Sequence, residues 1–235
     1  MQDRLSKIDA FIFARSGSKG LINKNIRIFH NNPLIAHTII RAKESNLFQN
    51  IIVSTDSQRI KEIAESYGAI VPFIRPKELA TDKSNELLSW KHCIDNLNDI
   101  SNCFVSLPCT CPLRDYGVIK KMIKFYHNND FDLVTGIIKS NVSPEFNMVF
   151  KEKDDSIIKI INNKRNIGRR QDATDCYIVT TYAYITSPKY IMSSKSILDG
   201  KVGGYLVDKN ESIDIDDIND FEYAEYLFKK GMTDE

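Results

Sequence analysis

Short apolar runs alternate with segments of helical periodicity along most of this chain, and that alternation limits its possible folds more than any other feature. The run Ile8 to Ala14 predicts a buried strand, and the stretch after Pro33 predicts a helix. The buried face of this helix would consist of Leu34, Ile35, Thr38, Ile39 and Ala42. Strands and helices in alternation predict an α/β domain whose mostly parallel, doubly wound sheet carries helices on both faces.

The alternation continues towards the end of the sequence. Further strands are predicted at 51–53, 103–107, 132–138, 177–185, 204–207 and 212–216, with an extended segment at 69–73. Helices are predicted from Ile60 to Tyr67 with closure at Gly68, at 85–97, at 118–126, and over a last stretch that buries Ile218, Phe221, Ala224 and Phe228.

The alternation stops near residue 140 and resumes near 176. A charge run at 151–155 and a basic segment at 163–170 occupy the interval. We interpret residues from about 140 to 176 as an arm inserted into a single domain that spans 1–235.

Composition and charge exclude several classes of protein. The 32 lysines and arginines balance 31 acidic residues, so the net charge of +1 favours neither nucleic acid nor an anionic membrane as a partner. No apolar run approaches the roughly 20 residues that span a bilayer, and residues 1–9 lack the apolar core of a signal peptide, so we expect a cytoplasmic protein. The five cysteines lack zinc-site spacing, which predicts reduced thiols, and the four histidines form no ligand pair.

A loop rich in small and basic residues follows the first predicted strand. It runs Ala-Arg-Ser-Gly-Ser-Lys-Gly from Ala14 to Gly20 and continues to Lys24 and Asn25. Small residues let backbone N–H groups approach a phosphate, and the arginine and lysines carry charge that would neutralise a triphosphate. The loop matches neither the Walker pattern nor the Gly-x-Gly-x-x-Gly fingerprint. It is either a phosphate-binding loop or a solvated basic turn.

The segment ARSGSKGLINKN at 14–25 resembles the opening signature of the CMP-sialic acid synthetases, the acylneuraminate cytidylyltransferases. The family's other blocks are matched, in order, by IVSTD at 52–56, RPKELATDKS at 75–84, PLR at 112–114, RRQD at 169–172 and SIDID at 212–216. The resemblance implies a Rossmann-like fold of the nucleotidyltransferase type, with a homodimer formed through the inserted arm. It also implies Mg²⁺ as cofactor and transfer of CMP from CTP to an acidic keto sugar, such as a sialic acid-like nonulosonic acid or a related octulosonic acid.

The resemblance assigns roles to individual residues. Catalytic roles fall to Arg15, Lys19 and Lys24, whose charges would oppose those of the triphosphate. Nucleotide-binding roles fall to Ala14, Arg15, Ser18, Lys24, Asn25, Arg75 and Ser84. Asn25 would also suit a simple turn, and the segment from Arg75 to Ser84 is also typical of a surface loop. Arg169, Arg170 and Gln171 are candidates to bind the sugar carboxylate, or else form a solvated basic face.

Acidic residues near the last helix suggest a metal site. Asp214 and Asp216 are two apart in a predicted strand, which would direct both carboxylates to one face. Two carboxylates plus substrate phosphates are sufficient for Mg²⁺. Asp217 and Asp220 suit the cap and first turn of the last helix, although all four acids could belong to the helix start. Asp56 either lies near the ligand or caps the helix that begins near Ser57.

Two departures from the family pattern concern the substrate. Pro108 stands where the family typically has a glutamine, and Ile178 to Thr181 stand where typical members have an Arg-Pro-Asn-Gly-like segment. These changes predict that N-acetylneuraminic acid is a poorer substrate than some related keto acid. The alternatives are a relative that uses another nucleotide or a sugar 1-phosphate, and a non-catalytic nucleotide-binding module.

Overall fold

A computed structural model describes residues 8–81, 84–161 and 167–233 of the chain. Its strands are β1 (Asp9–Phe13), β2 (Ile28–Phe29), β3 (Asn32–Pro33), β4 (Asn50–Ser54), β5 (Phe104–Ser106), β6 (Leu133–Lys139), β7 (Val149–Lys151), β8 (Ile157–Lys159), β9 (Tyr177–Thr186) and β10 (Val202–Leu206). Its α-helices are α1 (Leu34–Glu44), α2 (Gln58–Ser66), α3 (Glu86–Asp95), α4 (Tyr116–His127), α5 (Pro188–Ser193) and α6 (Ile218–Thr233). Short 3₁₀ helices occupy Lys24–Ile26, Lys77–Ala80 and Arg170–Asp172.

The central sheet has six strands in the order β10-β6-β9-β5-β1-β4. Neighbouring strands are parallel in three pairs, β1 with β4, β1 with β5, and β10 with β6. Only β9 runs against its two neighbours, β5 and β6. The prediction of a mostly parallel sheet is confirmed.

Helices cover both faces of this sheet, as the alternation predicted. Alternate residues of β1 point to opposite faces, so Ala10 and Ile12 belong to one core and Phe11 to another. The first core includes apolar residues of α1, α2 and α4. The second contains Trp90 of α3 and Ile191 of α5, packed against Phe11.

The individual helices follow their predicted faces closely. All five residues of the predicted α1 face are buried. Gly68 has a φ of 92°, which favours glycine, two residues beyond the end of α2. Asp217 Oδ1 accepts the Asp220 N–H at 3.0 Å at the start of α6, which confirms the predicted cap. The exception is Ile218, which is 39% exposed rather than buried.

One local prediction was wrong, and one open alternative is decided. Residues 212–216 form no strand; instead the Ile215 N–H donates to the Thr110 carbonyl at 2.8 Å, which pins the segment as a loop. Ile215 is fully buried and Asp216 is exposed, so apolar and acidic residues alternate without a neighbouring strand. Of the two roles left open for Asp56, the cap is excluded, because Ser57 caps α2 and its side chain accepts the Ile60 N–H.

The inserted region contains a β-hairpin, because β7 pairs antiparallel with β8. The charge run 151–155 leads from β7 into its turn, where Asp155 has a φ of 67°. Large apolar side chains are exposed along this region, namely Val149, Phe150, Ile157, Ile158, Ile160 and Ile161, together with Tyr177, Ile178 and Val179 at the start of β9. Residues 163–166 of the predicted basic segment lie outside the described residues. Within the described ranges, no helix is long and apolar enough to cross a membrane.

Candidate active site

The main cleft lies where the chain order of the strands reverses. β1 has β4 on one side and β5 on the other, and ligands of open α/β sheets bind in the crevice at such a point. The cleft has a volume of about 650 Å³. Predicted site residues that line it are Arg15, Ser18, Lys19, Lys24, Asn25, Arg75, Ser84 and Asp216. Ala14 is buried behind the lining, where its N–H extends the β1–β4 ladder to the Ser54 carbonyl at 3.0 Å.

The loop after β1 packs against the acidic segment near α6. A Cβ atom at Gly20 would collide with the backbone carbonyl of Asp216, so this position requires a residue without a side chain. The Lys24 ammonium donates to the Ile215 carbonyl and lies 3.1 Å from Asp216 Oδ1. Lys24 therefore joins the basic loop to the acidic segment across the cleft.

Two side chains, those of Asp56 and Asn25, fix the backbone of the loop after β1. The Asp56 carboxylate accepts the Ser16 N–H at 2.9 Å and the Ser16 hydroxyl at 2.6 Å. Asn25 is buried, and its amide donates to the Arg15 carbonyl at 3.0 Å. Asn25 thus lines the cleft and also fixes the backbone of Arg15, the first cationic residue of the loop.

Two buried polar atoms of the cleft have no hydrogen-bond partner among the described residues. They are Arg75 Nε and Ser84 Oγ. Burial lowers the pKa of the Arg75 guanidinium, and the nearby Asp56 carboxylate raises it. A buried polar group without a partner costs about 1–3 kcal/mol, so a ligand that supplies partners here would gain that free energy.

Asp214 and Asp216 approach the cleft in different ways. Asp216 is exposed and paired with Lys24, whereas Asp214 Oδ1 is buried beside the hydroxyl groups of Thr110 and Thr181. Burial raises the pKa of Asp214, the hydrogen bonds from Thr110 and Thr181 lower it, and the charge of Asp216 raises it. In the described part of the chain, no three His, Cys, Asp or Glu residues gather as a metal site, so any cation here would rely on this pair and on substrate oxygens.

The residues predicted to bind the sugar do not reach the main cleft within one chain. Arg169 forms an ion pair with Asp172 at 3.2 Å. Arg170 and Gln171 line a smaller cleft of about 270 Å³ beside Lys139. Their predicted role requires a second copy of the chain and stays a prediction.

Sequence patterns missed several residues of the cleft. Glu86 and Tyr184 line it, as do Thr110 and Thr181. Glu86 is the first residue of α3, a position where acidic residues are ordinarily explained by the helix dipole. Tyr184 belongs to a strand whose apolar pattern indicated only a core. All five cysteines are free, as predicted.

A family model described as Cytidylyltransferase matches residues 10–230. This chain belongs to the cytidylyltransferase family. The CMP-N,N'-diacetyllegionaminic acid synthase of Campylobacter jejuni is 32% identical over 228 residues, which cover 95% of each chain. The N-acylneuraminate cytidylyltransferase of Escherichia coli O18:K1:H7 is 35% identical over 221 residues, and the alignment spans 51% of that longer relative.

The fold of this cytidylyltransferase matches that of a solved CMP:2-keto-3-deoxy-manno-octonic acid synthetase complexed with CTP. The TM-score is 0.72, and the match covers 96% of this chain and 100% of the solved one. Sequence identity is 14%, so the likeness establishes the fold alone. The predicted Rossmann-like nucleotidyltransferase fold is thereby confirmed.

Proposed function

We propose that this enzyme transfers CMP from CTP to an acidic keto sugar of the nonulosonic or octulosonic class and releases pyrophosphate. The observation that carries the proposal is the convergence of the basic loop, Arg75, Ser84 and Asp216 on one cleft. These residues come from separate blocks of the sequence. If the basic loop were only a solvated turn, there would be no reason for it to meet the residues of the other blocks in one cleft.

In the proposed reaction, the anomeric hydroxyl of the sugar attacks the α-phosphorus of CTP. A new oxygen–phosphorus bond forms as the hydroxyl releases its proton to water, and the bond from the α-phosphorus to the bridging oxygen of the β-phosphate breaks. Negative charge develops on the pyrophosphate, where Arg15, Lys19 and Lys24 would oppose it. Because Lys24 is already held by the Ile215 carbonyl and Asp216, its position costs little reorganisation during the reaction.

We also propose Mg²⁺ as the cofactor, held by Asp214 and Asp216. The buried Oδ1 atom of Asp214 and the exposed carboxylate of Asp216 offer hard oxygen ligands of the kind that Mg²⁺ prefers. When bound, Mg²⁺ would offset charge at the α-phosphate.

A homodimer would complete the site. The exposed apolar residues of the hairpin and of the start of β9 form the kind of surface that monomers rarely expose. Packed on a second copy, the arm would bring Arg169, Arg170 and Gln171 to the partner's cleft. The guanidinium groups of the two arginines would pair with the sugar carboxylate, and the Gln171 amide could donate a further hydrogen bond to it. We place the enzyme in the cytoplasm, where CTP is available.

The sugar is expected to be a relative of N-acetylneuraminic acid rather than that compound itself. Pro108 lines the cleft at the position of the family's usual glutamine, so one amide contact to substrate is absent there. The similarity to a diacetyllegionaminic acid synthase supports an acid of the same class.

One assay tests the proposed nucleotide, sugar and metal cofactor together. Pyrophosphate release is measured for each of the four NTPs against a panel of nonulosonic acids, octulosonic acids and sugar 1-phosphates, with and without Mg²⁺. We expect release only with CTP, Mg²⁺ and a keto acid, and slower release with N-acetylneuraminic acid than with a relative. Release with UTP or GTP and a sugar 1-phosphate, but not with CTP, would indicate a different nucleotidyltransferase. Nucleotide binding without any release would indicate a non-catalytic module.

A further inference from the structure

The acidic segment that carries Asp214 is attached to the rest of the domain at both of its ends. The Ile215 N–H donates to the Thr110 carbonyl at 2.8 Å. At the other end, the Tyr182 hydroxyl lies 3.0 Å from Glu211 Oε2 and donates to it. Asp214 therefore lies between two attached residues, one directly after it and one three positions before it.

Tyr182 is closely packed and can hold its end of the segment firmly. Its side chain is fully buried on β9. On the neighbouring strand β6, a Cβ atom at Gly136 would lie 2.8 Å from the Tyr182 Cβ, so glycine at this position lets the two strands approach closely. The Tyr182 hydroxyl also accepts the Asp115 N–H at 2.8 Å, at the start of α4. One hydroxyl thus links the sheet, α4 and the acidic segment.

The hydrogen bond runs from the Tyr182 phenol to the Glu211 carboxylate. Burial raises the pKa of Tyr182, and the charge of Glu211 raises it further, so the phenol keeps its proton. The Asp115 carbonyl, at 3.2 Å, competes for that proton. The carboxylate lies closer and is charged, which makes it the stronger acceptor. Burial raises the pKa of Glu211, whereas the hydrogen bond from Tyr182 lowers it and so favours the charged carboxylate.

The backbone of Glu211 is held as well as its side chain. The Cys111 thiol donates to the Glu211 carbonyl at 3.2 Å, and Cys111 directly follows Thr110, which lines the cleft. A thiol is a weak donor, so the hydrogen bond from Tyr182 is the stronger of these two contacts. The attachment of Glu211 therefore depends mainly on the Tyr182 hydroxyl.

Building on the proposed function, we propose that Tyr182 is a positioning residue for the metal site, and that its hydrogen bond to Glu211 holds Asp214 where the carboxylate can ligate Mg²⁺. Metal ligands bind best when groups behind them fix their orientation. Because Tyr182 is fully buried, it acts on the reaction only through the acidic segment.

The first test removes the hydroxyl alone. Tyr182→Phe keeps the ring, and we expect the Kd for Mn²⁺, measured by isothermal titration with a non-hydrolysable CTP analogue bound, to rise about 10-fold. The KM for Mg²⁺ in the pyrophosphate assay should rise by a similar factor, and saturating Mg²⁺ should restore kcat to near the wild-type value. Hydrogen exchange of the amides at 211–216 should become faster, because one end of the segment is released.

Tyr190→Phe is the matched control. The Tyr190 hydroxyl, on α5, donates to the Ile197 carbonyl at 3.0 Å and accepts the Gly200 N–H at 2.8 Å, so this variant also loses a phenol with two partners. We expect Tyr190→Phe to lower the Tm and to leave the Mn²⁺ affinity unchanged. If Tyr182→Phe behaves in the same way, the Tyr182 hydroxyl contributes to stability alone and the proposal is wrong.

Variants of Glu211 separate the hydrogen bond from the charge. Glu211→Gln keeps an oxygen that accepts from Tyr182 and should change the Mn²⁺ affinity by about 3-fold at most. Glu211→Ala removes the acceptor and should weaken Mn²⁺ binding as much as Tyr182→Phe does. The double variant should be no weaker than either single one, because both changes remove the same bond. Equal losses in Glu211→Gln and Glu211→Ala, with none in Tyr182→Phe, would assign the effect to the charge and overturn the proposal.

Asp214→Asn distinguishes a failure of the positioning role from a failure of the proposed metal site. If Asp214→Asn weakens Mn²⁺ binding and Tyr182→Phe does not, only the role of Tyr182 is contradicted. If neither variant weakens it, the assignment of the metal to Asp214 is wrong as well. Mn²⁺ titration needs no turnover, so a wild type that releases no pyrophosphate would contradict the proposed transferase independently of these binding results.

Discussion

The loop after β1 and the inserted arm differ in how many of their side chains find partners within one chain. In the loop, Ser16 is held by Asp56, the Arg15 carbonyl by Asn25, and Lys24 by the acidic segment. In the arm, Phe150 and its neighbours expose large apolar side chains to solvent. Under the proposed function, the residues that would bind the triphosphate come from one chain, whereas those that would bind the sugar carboxylate would come from a second copy.

The largest expected effect comes from the loop. Lys24→Ala removes a charge aimed at the leaving phosphates and should lower kcat on the order of 10²-fold or more. Steady-state kinetics and a thermal melt check this, with Lys43→Ala on α1 as a control. Near-normal turnover in a folded variant would mean that Lys24 has a structural role only, and that the loop after β1 does not act on the leaving phosphates through this charge.

The acidic segment should show the next largest effect. Asp214→Asn and Asp216→Asn should each lower Mg²⁺-dependent turnover about 10- to 100-fold, since each removes a proposed ligand charge. Isothermal titration with Mn²⁺ in the presence of a CTP analogue measures the metal affinity directly. Asp217→Ala is the control, because loss of this cap should cost about 1 kcal/mol of stability and leave metal affinity unchanged. Unchanged activity and affinity in both Asn variants would place the metal elsewhere.

A charge introduced into the β7–β8 hairpin tests whether the arm packs on a second copy of the chain. Ile158→Asp should shift the solution mass from dimer to monomer and raise the sugar KM about 10-fold, because the partner's guanidinium groups leave the cleft. Binding of CTP alone should be little affected. Sedimentation and kinetics measure both quantities, with Lys153→Ala as the control. A wild type that is active as a monomer would contradict the proposed role of the arm.

The smallest effect is expected from the contact between Asp56 and Ser16, which fixes the loop after β1. Asp56→Asn should raise the KM for CTP about 5-fold, because an amide cannot accept both Ser16 donors as well as a carboxylate does. Ser16→Ala, which loses one of the two bonds, should have a smaller effect. The two changes in a double-mutant cycle should be non-additive. Full additivity would mean that Asp56 and Ser16 act separately.

Sequence periodicity was sufficient for the sheet but not for every loop. The β1 and α1 faces were predictable because burial imposes periods of 2 and 3.6 residues on apolar side chains. The same rule misassigned 212–216, where Ile215 is buried by a loop that the Thr110 carbonyl pins. Periodicity reports burial and does not identify the neighbour that causes it.

The site was predictable where motifs are contiguous. The residues of the basic loop form one contiguous motif and line the cleft as predicted, together with Asp216 from the separate motif at 212–216. Glu86 also lines the cleft but gave no such signal, because an acidic residue at the first position of a helix is ordinarily explained by the helix dipole. The proposed part of Arg170 would depend on contacts between chains, which no pattern within one sequence describes.

The contact between Lys24 and Ile215 joins positions 191 residues apart. Ribosomes add about 5–20 residues per second, so the basic loop would emerge roughly 10 to 40 s before its anchor exists. During that interval a nascent chain has the cations for a nucleotide but no acidic segment to orient Lys24. Catalytic competence should therefore arise late and all at once during synthesis, and a partly made chain should not consume CTP.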